Sequence, residues 1–227
     1  MNKSTKPLYI GSACLVLFVL LAFTLQLYVV ERLDLFMLEA AMSIRAGWVT
    51  VIMEWFAFIG SSEAVVVLTV IVFIGLFIIK APWRDFFFLG TIMAATAVFN
   101  TTLKYTIARV RPEDFMMIEL TTYSFPSGHS MGALSLYGAL VFLLWERIPS
   151  GALRVMMLSL AIVIILVMGF SRVYLGVHYA TDIMGGFLMS GAIIAFTYWF
   201  FLREKTASLT GNRVLVVVFL LGQEWYL

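Results

Sequence analysis

Two histidines and one aspartate are the residues of this 227-residue chain with the types and the spacing for nucleophilic or acid–base chemistry. His178 and Asp182 are four residues apart, so a helix that starts at or just before His178 would put both side chains on one face. A carboxylate bonded to one ring nitrogen of a histidine fixes its tautomer and leaves the other nitrogen free as a nucleophile. His129, in a separate stretch of the chain, is then available as a general acid.

Three basic residues accompany these groups at the ends of apolar runs. Lys104 and Arg111 follow one run, and Arg172 follows another. Lys and Arg side chains bind phosphate oxygens, and the planar guanidinium of Arg can form two hydrogen bonds at once. Ser127 and Gly128 stand where a helix would begin, which offers backbone N–H groups and the positive end of a helix dipole to the same anion. The pattern predicts a phosphate-binding site that needs no metal ion.

Other interpretations of these residues are weaker. A single His, Lys or Arg at a membrane interface often only sets orientation, and Ser127 with Gly128 could be merely a helix cap and a turn. A zinc hydrolase would use His-Glu-x-x-His spacing, which the sequence lacks, and three cations would repel the metal. A transporter or channel would bury ionisable groups near the bilayer midplane, whereas the middle of each apolar run here is almost free of charge.

The elements that must position these residues are hydrophobic enough to be membrane helices. Hydrophobic residues make up 63% of the chain and charged residues 12%, whereas soluble domains are about a quarter charged. A helix rises ~1.5 Å per residue, so roughly twenty apolar residues cross the hydrocarbon layer of a bilayer. The sequence therefore predicts an all-α integral membrane protein with six transmembrane helices. The six apolar runs are 8–30, 64–79, 86–103, 131–144, 155–170 and 183–201.

Charge is distributed unevenly between the two sides that six alternating spans define. The side of the N-terminus carries nine basic and four acidic residues, a net charge of +5, and the opposite side carries six basic and nine acidic residues, a net charge of −3. Cytoplasmic loops are enriched in Lys and Arg, so both termini are expected in the cytoplasm and the histidines at the outer face. Residues 31–62 are expected to form one or two amphipathic helices in the outer interface, with Trp48 and Trp55 at headgroup depth.

The sequences at the two ends of the chain determine where the membrane domain is predicted to begin and end. The first apolar run follows two lysines but is too long for a secretory signal, so we interpret it as a retained span. Its Cys14 is the single cysteine, which excludes an intramolecular disulfide. The membrane domain is predicted over residues 1–202. Residues 203–227 contain an apolar stretch too short to span, and we interpret them as a tail that is peripheral or an addition to the natural chain.

The order and spacing of the site residues resemble the three-part signature of the type 2 phosphatidic acid phosphatase (PAP2) superfamily. The six-span layout also resembles the membrane-bound bacterial lipid phosphatases of that superfamily, especially the phosphatidylglycerophosphatase B type. The resemblance covers residues 104–182 by motif and roughly 8–202 by architecture. The three parts here are Lys104 with Arg111-Pro112, Pro126-Ser127-Gly128-His129, and Ser171-Arg172 with His178 and Asp182.

The resemblance implies a role for each matched residue. His178 would be the nucleophile that forms a phosphohistidine, Asp182 the residue that orients it, and His129 the acid that protonates the leaving oxygen. Members of this kind need no metal ion and no cofactor. The phosphate ligands would be Lys104, Arg111, Arg172 and Ser127, together with the backbone of Gly128.

The function expected is that of a lipid phosphate phosphatase at the outer leaflet of a bacterial plasma membrane. Phosphatidylglycerophosphate is the first substrate expected, with undecaprenyl pyrophosphate and phosphatidic acid as alternatives, because the motifs bind phosphate and carry no information about the lipid. The substrate and the surrounding membrane lipids are the partners implied; no nucleic acid is, and the oligomeric state is left open. A lipid-binding or transport protein on the same scaffold is disfavoured because every residue of the signature is present.

Overall fold

The computed structural model describes residues 5–201, and this part of the chain folds into eight α-helices. A short 3-10 turn, Glu113–Phe115, follows the fifth helix. The predicted tail at 203–227 lies outside the described residues. The helices are α1 Lys6–Thr24, α2 Tyr28–Ser43, α3 Gly47–Ile59, α4 Ser62–Ile78, α5 Trp83–Ile107, α6 Gly128–Leu144, α7 Gly151–Tyr174 and α8 Ala180–Phe201.

Serine side chains fix the starts of α4, α6 and α7. The hydroxyl oxygens of Ser61, Ser127 and Ser150 each accept a hydrogen bond from the backbone N–H three residues further along the chain. Each bond satisfies one of the N–H groups that the first turn of a helix leaves without an intrahelical acceptor. The capping role considered for Ser127 is therefore present, and it determines where the following Gly128 and His129 stand.

Every predicted apolar run falls on helical segments, but the helices do not establish six spans. Four of them, α1, α5, α7 and α8, are long and apolar enough to cross a membrane. Together, α3 and α4 would make a fifth span, bent by 57° at residues 60–61. At 17 residues, α6 is about 26 Å long at ~1.5 Å per residue, shorter than a hydrocarbon layer of ~30 Å. By length and composition the described residues thus form a helical membrane protein of four to five spans.

The segment between the first two predicted runs forms two helices as expected, α2 and α3, but α2 begins three residues before the predicted range of 31–62. The first run itself was wrong at its end, because α1 stops at Thr24 and α2 begins at Tyr28. The turn between them is Leu25-Gln26-Leu27, and a single glutamine between two leucines does not by itself mark the end of a helix. Trp48 and Trp55 on α3 are exposed, as an interfacial position requires.

Helices α6 and α8 form the interior of the bundle. Helix α6 packs against α4, α5 and α7, and helix α8 packs against α1, α5 and α6. Small residues permit the close approach: a Cβ at Gly11 would lie 2.9 Å from the ring of Phe196, and one at Gly138 would lie 3.0 Å from Cδ1 of Ile194. Membrane helices commonly associate through such small residues. The packing fixes α8, which carries Asp182 in its first turn.

Four helix ends meet at one end of the bundle. There α5 and α7 end, and α6 and α8 begin. The backbone N–H of Ser127, before α6, donates to the carbonyl oxygen of Asp182 in α8 at 3.0 Å. The carbonyl oxygen of Arg172, in the last turn of α7, accepts from the backbone N–H of Val177 at 3.0 Å and of His178 at 3.3 Å. These bonds join the second part of the signature to the third and close the loop between Arg172 and His178.

Candidate active site

The predicted pair of His178 and Asp182 is formed, but not inside a helix. His178 Nδ1 lies 3.2 Å from Asp182 Oδ2, and both side chains are buried. Because α8 begins at Ala180, His178 precedes it, so the spacing of four residues does not place the two groups on one helical face as expected. The same Oδ2 atom accepts from the backbone N–H of Tyr179 at 2.9 Å, and this bond folds the loop back over the start of α8.

The other nitrogen of His178 faces a cation. Nη1 of Arg111 lies 3.2 Å from Nε2 of His178. A guanidinium can only donate hydrogen bonds and an ionised carboxylate can only accept them. The two neighbours therefore select one tautomer of His178, with the proton on Nδ1 toward Asp182 and a lone pair on Nε2 toward Arg111. This is the tautomer that a nucleophilic Nε2 requires.

Burial keeps His178 neutral. Removal of the imidazole from water lowers its pKa to about 3, and the positive charges of Arg111 and Lys104 act in the same direction. The hydrogen bond and the charge of Asp182 oppose this shift without cancelling it. A neutral ring with a free lone pair is consequently the form present at physiological pH.

Arg111 and Lys104 are both held by the segment that precedes α6. Nε of Arg111 donates to the carbonyl oxygen of Thr122 at 2.6 Å, and Nη2 donates to Thr122 Oγ1 at 3.0 Å and to the carbonyl oxygen of Tyr123 at 3.2 Å. Nζ of Lys104 donates to the carbonyl oxygens of Tyr123 and Ser124. Within residues 5–201 neither cation pairs with a carboxylate, so both charges remain available to a bound anion.

Arg172 is the third predicted phosphate ligand. Its side chain is 4% exposed, and among the described residues its Nε has no hydrogen-bond partner. Buried guanidinium nitrogens are ordinarily hydrogen-bonded, so this Nε is in a position to donate to an acceptor that enters the site. A phosphate oxygen is an acceptor of suitable charge.

The start of α6 contributes the other predicted groups. Gly128 opens the helix, and a Cβ there would lie 3.0 Å from Oδ1 of Asn100. The absence of a side chain at Gly128 therefore allows the start of α6 to pack closely against α5. Gly186 on α8 allows the same segment to approach from the other side, because a Cβ there would lie 2.9 Å from the carbonyl oxygen of Ser127. The first N–H groups of α6 have no intrahelical acceptors, as at any helix start, which suits an anion.

His129 is oriented by the break between α3 and α4. Its Nε2 lies 3.0 Å from the carbonyl oxygen of Ala57, which can only accept, so Nε2 carries a proton. Nδ1 is then the nitrogen that can exchange a proton with a ligand. His129 is in the first turn of α6, and the residue before that helix, Ser127, is bonded through its backbone N–H to the carbonyl oxygen of Asp182, so His129 lies at the same end of the bundle as the His178–Asp182 pair. A Cβ at Gly60 would lie 3.0 Å from Cδ2 of His129, so the break in the helix pair makes room for the ring.

Two residues of the site were missed at the level of sequence. Arg109 forms ion pairs with Asp182 and with Asp34, a fully buried carboxylate on α2. Arg109 lies two residues before Arg111 in the same basic stretch, and that proximity was the available signal. Asp34 gave none, because an acidic residue in an amphipathic helix is ordinarily solvated.

The fold and the site together define a class of protein: a helical membrane protein with a buried His–Asp pair and three cations at one end of its bundle. Residues 85–206 match the PAP2 superfamily, and the chain belongs to this superfamily, as the signature predicted. No cluster of three or more His, Cys, Asp or Glu side chains in the described ranges is arranged to hold a metal ion.

Individual relatives agree with this assignment. The chain is 34% identical over 171 residues to phosphatidylglycerophosphatase B of Bacillus subtilis, a match that covers 75% of this chain and 84% of that protein. The crystal structure of the transmembrane PAP2 type phosphatidylglycerolphosphate phosphatase from Bacillus subtilis superposes with a TM-score of 0.78 at 29% identity, over 90% of this chain and all of that one. An undecaprenyl-diphosphatase of Sulfolobus acidocaldarius is 34% identical over 105 residues, 44% of this chain and 46% of that protein.

Proposed function

We propose that this protein hydrolyses the phosphomonoester of phosphatidylglycerophosphate to phosphatidylglycerol and phosphate, with His178 as the nucleophile. The observation that carries the proposal is the position of the His178 ring between an acceptor, Asp182, and a donor, Arg111. The match to phosphatidylglycerophosphatase B over most of that protein's length supports the lipid substrate.

In the first step, the lone pair on Nε2 of His178 attacks phosphorus. His129 takes up a second proton, on Nδ1, when the negatively charged phosphate binds beside it. The Nε2–P bond of His178 forms as the bond from phosphorus to the glycerol oxygen breaks, and the Nδ1 proton of His129 passes to that oxygen. The ring of His178 then carries positive charge, which the carboxylate of Asp182 stabilises through the Nδ1 proton. The product phosphatidylglycerol leaves a phosphohistidine behind.

In the second step, water replaces the departed alcohol. His129, now neutral at Nδ1, accepts a proton from the water as its oxygen attacks phosphorus, and the Nε2–P bond breaks. Inorganic phosphate is released, and both histidines return to their starting protonation states. One residue serves as acid and then as base, because the attacking water occupies the position that the leaving oxygen had.

Three fixed cations take the part that metal ions have in many phosphatases. Lys104, Arg111 and Arg172 face the developing charge on the phosphoryl oxygens, and Ser127 with the first turn of α6 adds polar groups. Such preorganised donors lower the barrier without reorganisation during the reaction, which matters because uncatalysed phosphomonoester hydrolysis is accelerated by up to about 10²¹-fold in enzymes. We therefore propose that no metal ion and no cofactor take part.

The membrane arrangement belongs to the same proposal. Six spans, with α6 as a short one, put both termini in the cytoplasm of a bacterium and the site at the outer face of the plasma membrane. The excess of basic residues on the side of the N-terminus supports this orientation. The substrate would reach the site from the outer leaflet.

A second candidate function is hydrolysis of undecaprenyl pyrophosphate. The similarity to an undecaprenyl-diphosphatase, although it covers less than half of that protein, is the observation in its favour. The same residues would act, but the leaving group would be a lipid phosphate, which departs without the help of an acid.

Phosphate release from a panel of lipid phosphates by the purified full chain tests the proposal. We expect turnover of phosphatidylglycerophosphate that resists EDTA and is inhibited by orthovanadate, which adopts the trigonal bipyramid of the transferring phosphoryl group. His178→Ala should be inactive on every substrate. Activity that is lost with EDTA and survives vanadate would instead indicate a metal-dependent reaction, and preference for undecaprenyl pyrophosphate would favour the second candidate.

A further inference from the structure

Arg109 joins the catalytic pair to a second carboxylate. Its Nη1 donates to Asp182 Oδ1 at 2.6 Å, and its Nη2 donates to Asp34 Oδ2 at 2.7 Å. The side chain is 12% exposed and lies 4.1 Å from the ring centre of Tyr179. Although burial disfavours its charge, the two carboxylates outweigh that effect and raise the pKa of Arg109. One planar guanidinium thus bridges two buried acids.

Both oxygens of Asp182 are thereby fixed. Oδ2 is bonded to His178 and to the backbone N–H of Tyr179, and Oδ1 is bonded to Arg109 and, among the described residues, to no group on the catalytic side. The carboxylate cannot rotate away from His178 without breaking an ion pair in a buried environment. Arg109 therefore controls the orientation of the group that orients the nucleophile.

Asp34 is fully buried, and its described contacts all go to residues beside Asp182. Besides Arg109, it accepts from the backbone N–H of Thr181 at 3.0 Å and from Thr181 Oγ1 at 2.6 Å. Thr181 is in the first turn of α8, so a carboxylate from α2 caps the helix that carries Asp182. An acid in this position also complements the helix dipole.

Burial of the Asp34 carboxylate costs free energy, so its presence on α2 calls for a functional role. Other acids on the same helix, Glu31 and Glu39, are exposed, and apolar residues often replace buried ion pairs without loss of stability. The balance of charge around the His178 ring indicates that role. Arg109 alone would cancel the charge of Asp182, whereas Arg109 with both acids leaves a net charge of −1 behind the ring that becomes positive when its Nε2 is phosphorylated.

We propose that Asp34 and Arg109 are positioning residues for the nucleophile: they hold Asp182 against His178 and keep the surroundings of the ring negative during phosphoryl transfer. The inference rests on the proposed function and adds two residues outside the signature to it. Neither residue reaches the phosphate cradle of Lys104, Arg111 and Arg172 by any described contact, so the two act on turnover and not on phosphate binding.

The test compares Asp34→Asn with Glu39→Gln, a charge-removing variant of the exposed face of the same helix. We expect Asp34→Asn to lower kcat by roughly 10- to 100-fold, the range found for hydrogen-bonding partners of active-site groups at metal centres. KM and the inhibition constant of inorganic phosphate should stay within about 3-fold of the wild type, because the cradle is intact. Glu39→Gln should match the wild type in all three values.

A double-mutant cycle separates positioning from a structural role. If Asp34 acts through Asp182, Asp34→Asn should change kcat by less than about 3-fold in an Asp182→Asn background, because the orientation it maintains is already lost. A residue that only stabilises the fold would give the same factor in both backgrounds. Arg109→Lys is the second variant, since lysine keeps the charge but cannot bridge two carboxylates, and it too should lower kcat at unchanged phosphate inhibition.

Full activity of both Asp34→Asn and Arg109→Lys would overturn the inference while leaving the proposed function in place. Equal factors in the two backgrounds, or a rise in KM alone, would overturn it as well. If Asp34→Asn does not yield a folded protein, the kcat and the phosphate inhibition of Arg109→Lys decide whether the inference holds. A wild type without activity on any lipid phosphate would end the proposed function, and the inference with it.

Discussion

A buried imidazole whose pKa is about 3 does not titrate under the conditions in which cells grow. His178 is therefore neutral at physiological pH, and in the proposed mechanism its reactivity depends on geometry, through Asp182 on one nitrogen and Arg111 on the other. In the same proposed mechanism, His129 differs in that its protonation changes twice in each turnover. The two histidines thus have distinct tasks, and each can be tested by a property that the other lacks.

The lowered pKa of His178 has a consequence for stability. In the unfolded chain the ring titrates near its ordinary pKa of 6.5, whereas in the folded protein it titrates at about 3. Between these values the unfolded state binds more protons, so the free energy of unfolding falls as the pH is lowered from 6.5 toward 3, by at most ~1.4 kcal/mol per pH unit. Above pH 6.5 this contribution is constant.

Thermal unfolding in detergent from pH 8 to pH 4 measures the effect. We expect the Tm of the wild type to fall more steeply below pH 6.5 than that of His178→Asn, which keeps a polar side chain that does not titrate. The difference between the two curves isolates His178 from every other ionisable group. Parallel curves would show that His178 is as easily protonated in the folded protein as in the unfolded one.

His129 is tested by the leaving group. A general acid matters in proportion to the basicity of the departing oxygen, so His129→Ala should cost about 10²–10⁴-fold on phosphatidylglycerophosphate. The loss should be much smaller on p-nitrophenyl phosphate or on a lipid pyrophosphate, whose leaving groups are stable anions. His178→Ala is the control, since it should be inactive on all of them. Equal losses for His129→Ala on good and poor leaving groups would mean that His129 only binds phosphate.

At the scale of elements, the loop between α7 and α8 is the part that presents His178. Gly176 in this loop has φ of +71°, and a Cβ there would lie 2.0 Å from the carbonyl oxygen of Phe115. Arg45, before α3, donates to that oxygen at 3.1 Å and to the carbonyl oxygen of Tyr174 at 2.9 Å. The loop is therefore clamped between the turn after α5 and the corner between α2 and α3.

Gly176→Ala should displace the loop, because alanine meets both a steric overlap and a left-handed backbone that costs roughly 1–2 kcal/mol. We expect at least a 10-fold loss of kcat, with a lower Tm, in a protein that still inserts into membranes. Gly151→Ala is the matched control: that glycine also lies next to a loop, and a Cβ there would meet nothing within 4 Å. Unchanged activity of Gly176→Ala would show that the loop tolerates displacement.

The residues proposed to carry the chemistry could be named from the sequence, whereas Asp34, which supports them, could not. Lys104, Arg111 and His178 could be predicted because charged groups are rare in this chain and their spacing is informative. Asp34 could not, because whether an acid on an amphipathic helix is buried depends on which face packs against α8, and that is decided by tertiary contacts. The count of six spans stays a prediction for a related reason: α6 is enclosed by other helices, so its 17 residues are too few for length and composition alone to establish a span.

At the scale of the whole molecule, the site occupies one end of the bundle and a different ion pair occupies the other. The guanidinium of Arg147, after α6, donates to the carboxylate of Asp85 at the start of α5 and to the carbonyl oxygen of Leu143. The long apolar sides between the two ends are exposed and suit contact with lipid. Which end faces the cytoplasm is a property of the entire chain, and we infer it from the distribution of charge.

Labelling of single cysteines in intact cells decides the orientation. Glu119, in the loop at the site end, and Pro149, in the turn between α6 and α7, are both exposed in the fold. In a background with Cys14 replaced, a membrane-impermeant thiol reagent should label Glu119→Cys and spare Pro149→Cys, because the side richer in Lys and Arg stays in the cytoplasm. Permeabilised cells provide the control in which both positions react. Labelling of Pro149→Cys alone in intact cells would show the opposite orientation, with the site facing the cytoplasm. The phosphate would then be released into the cytoplasm instead of outside the membrane.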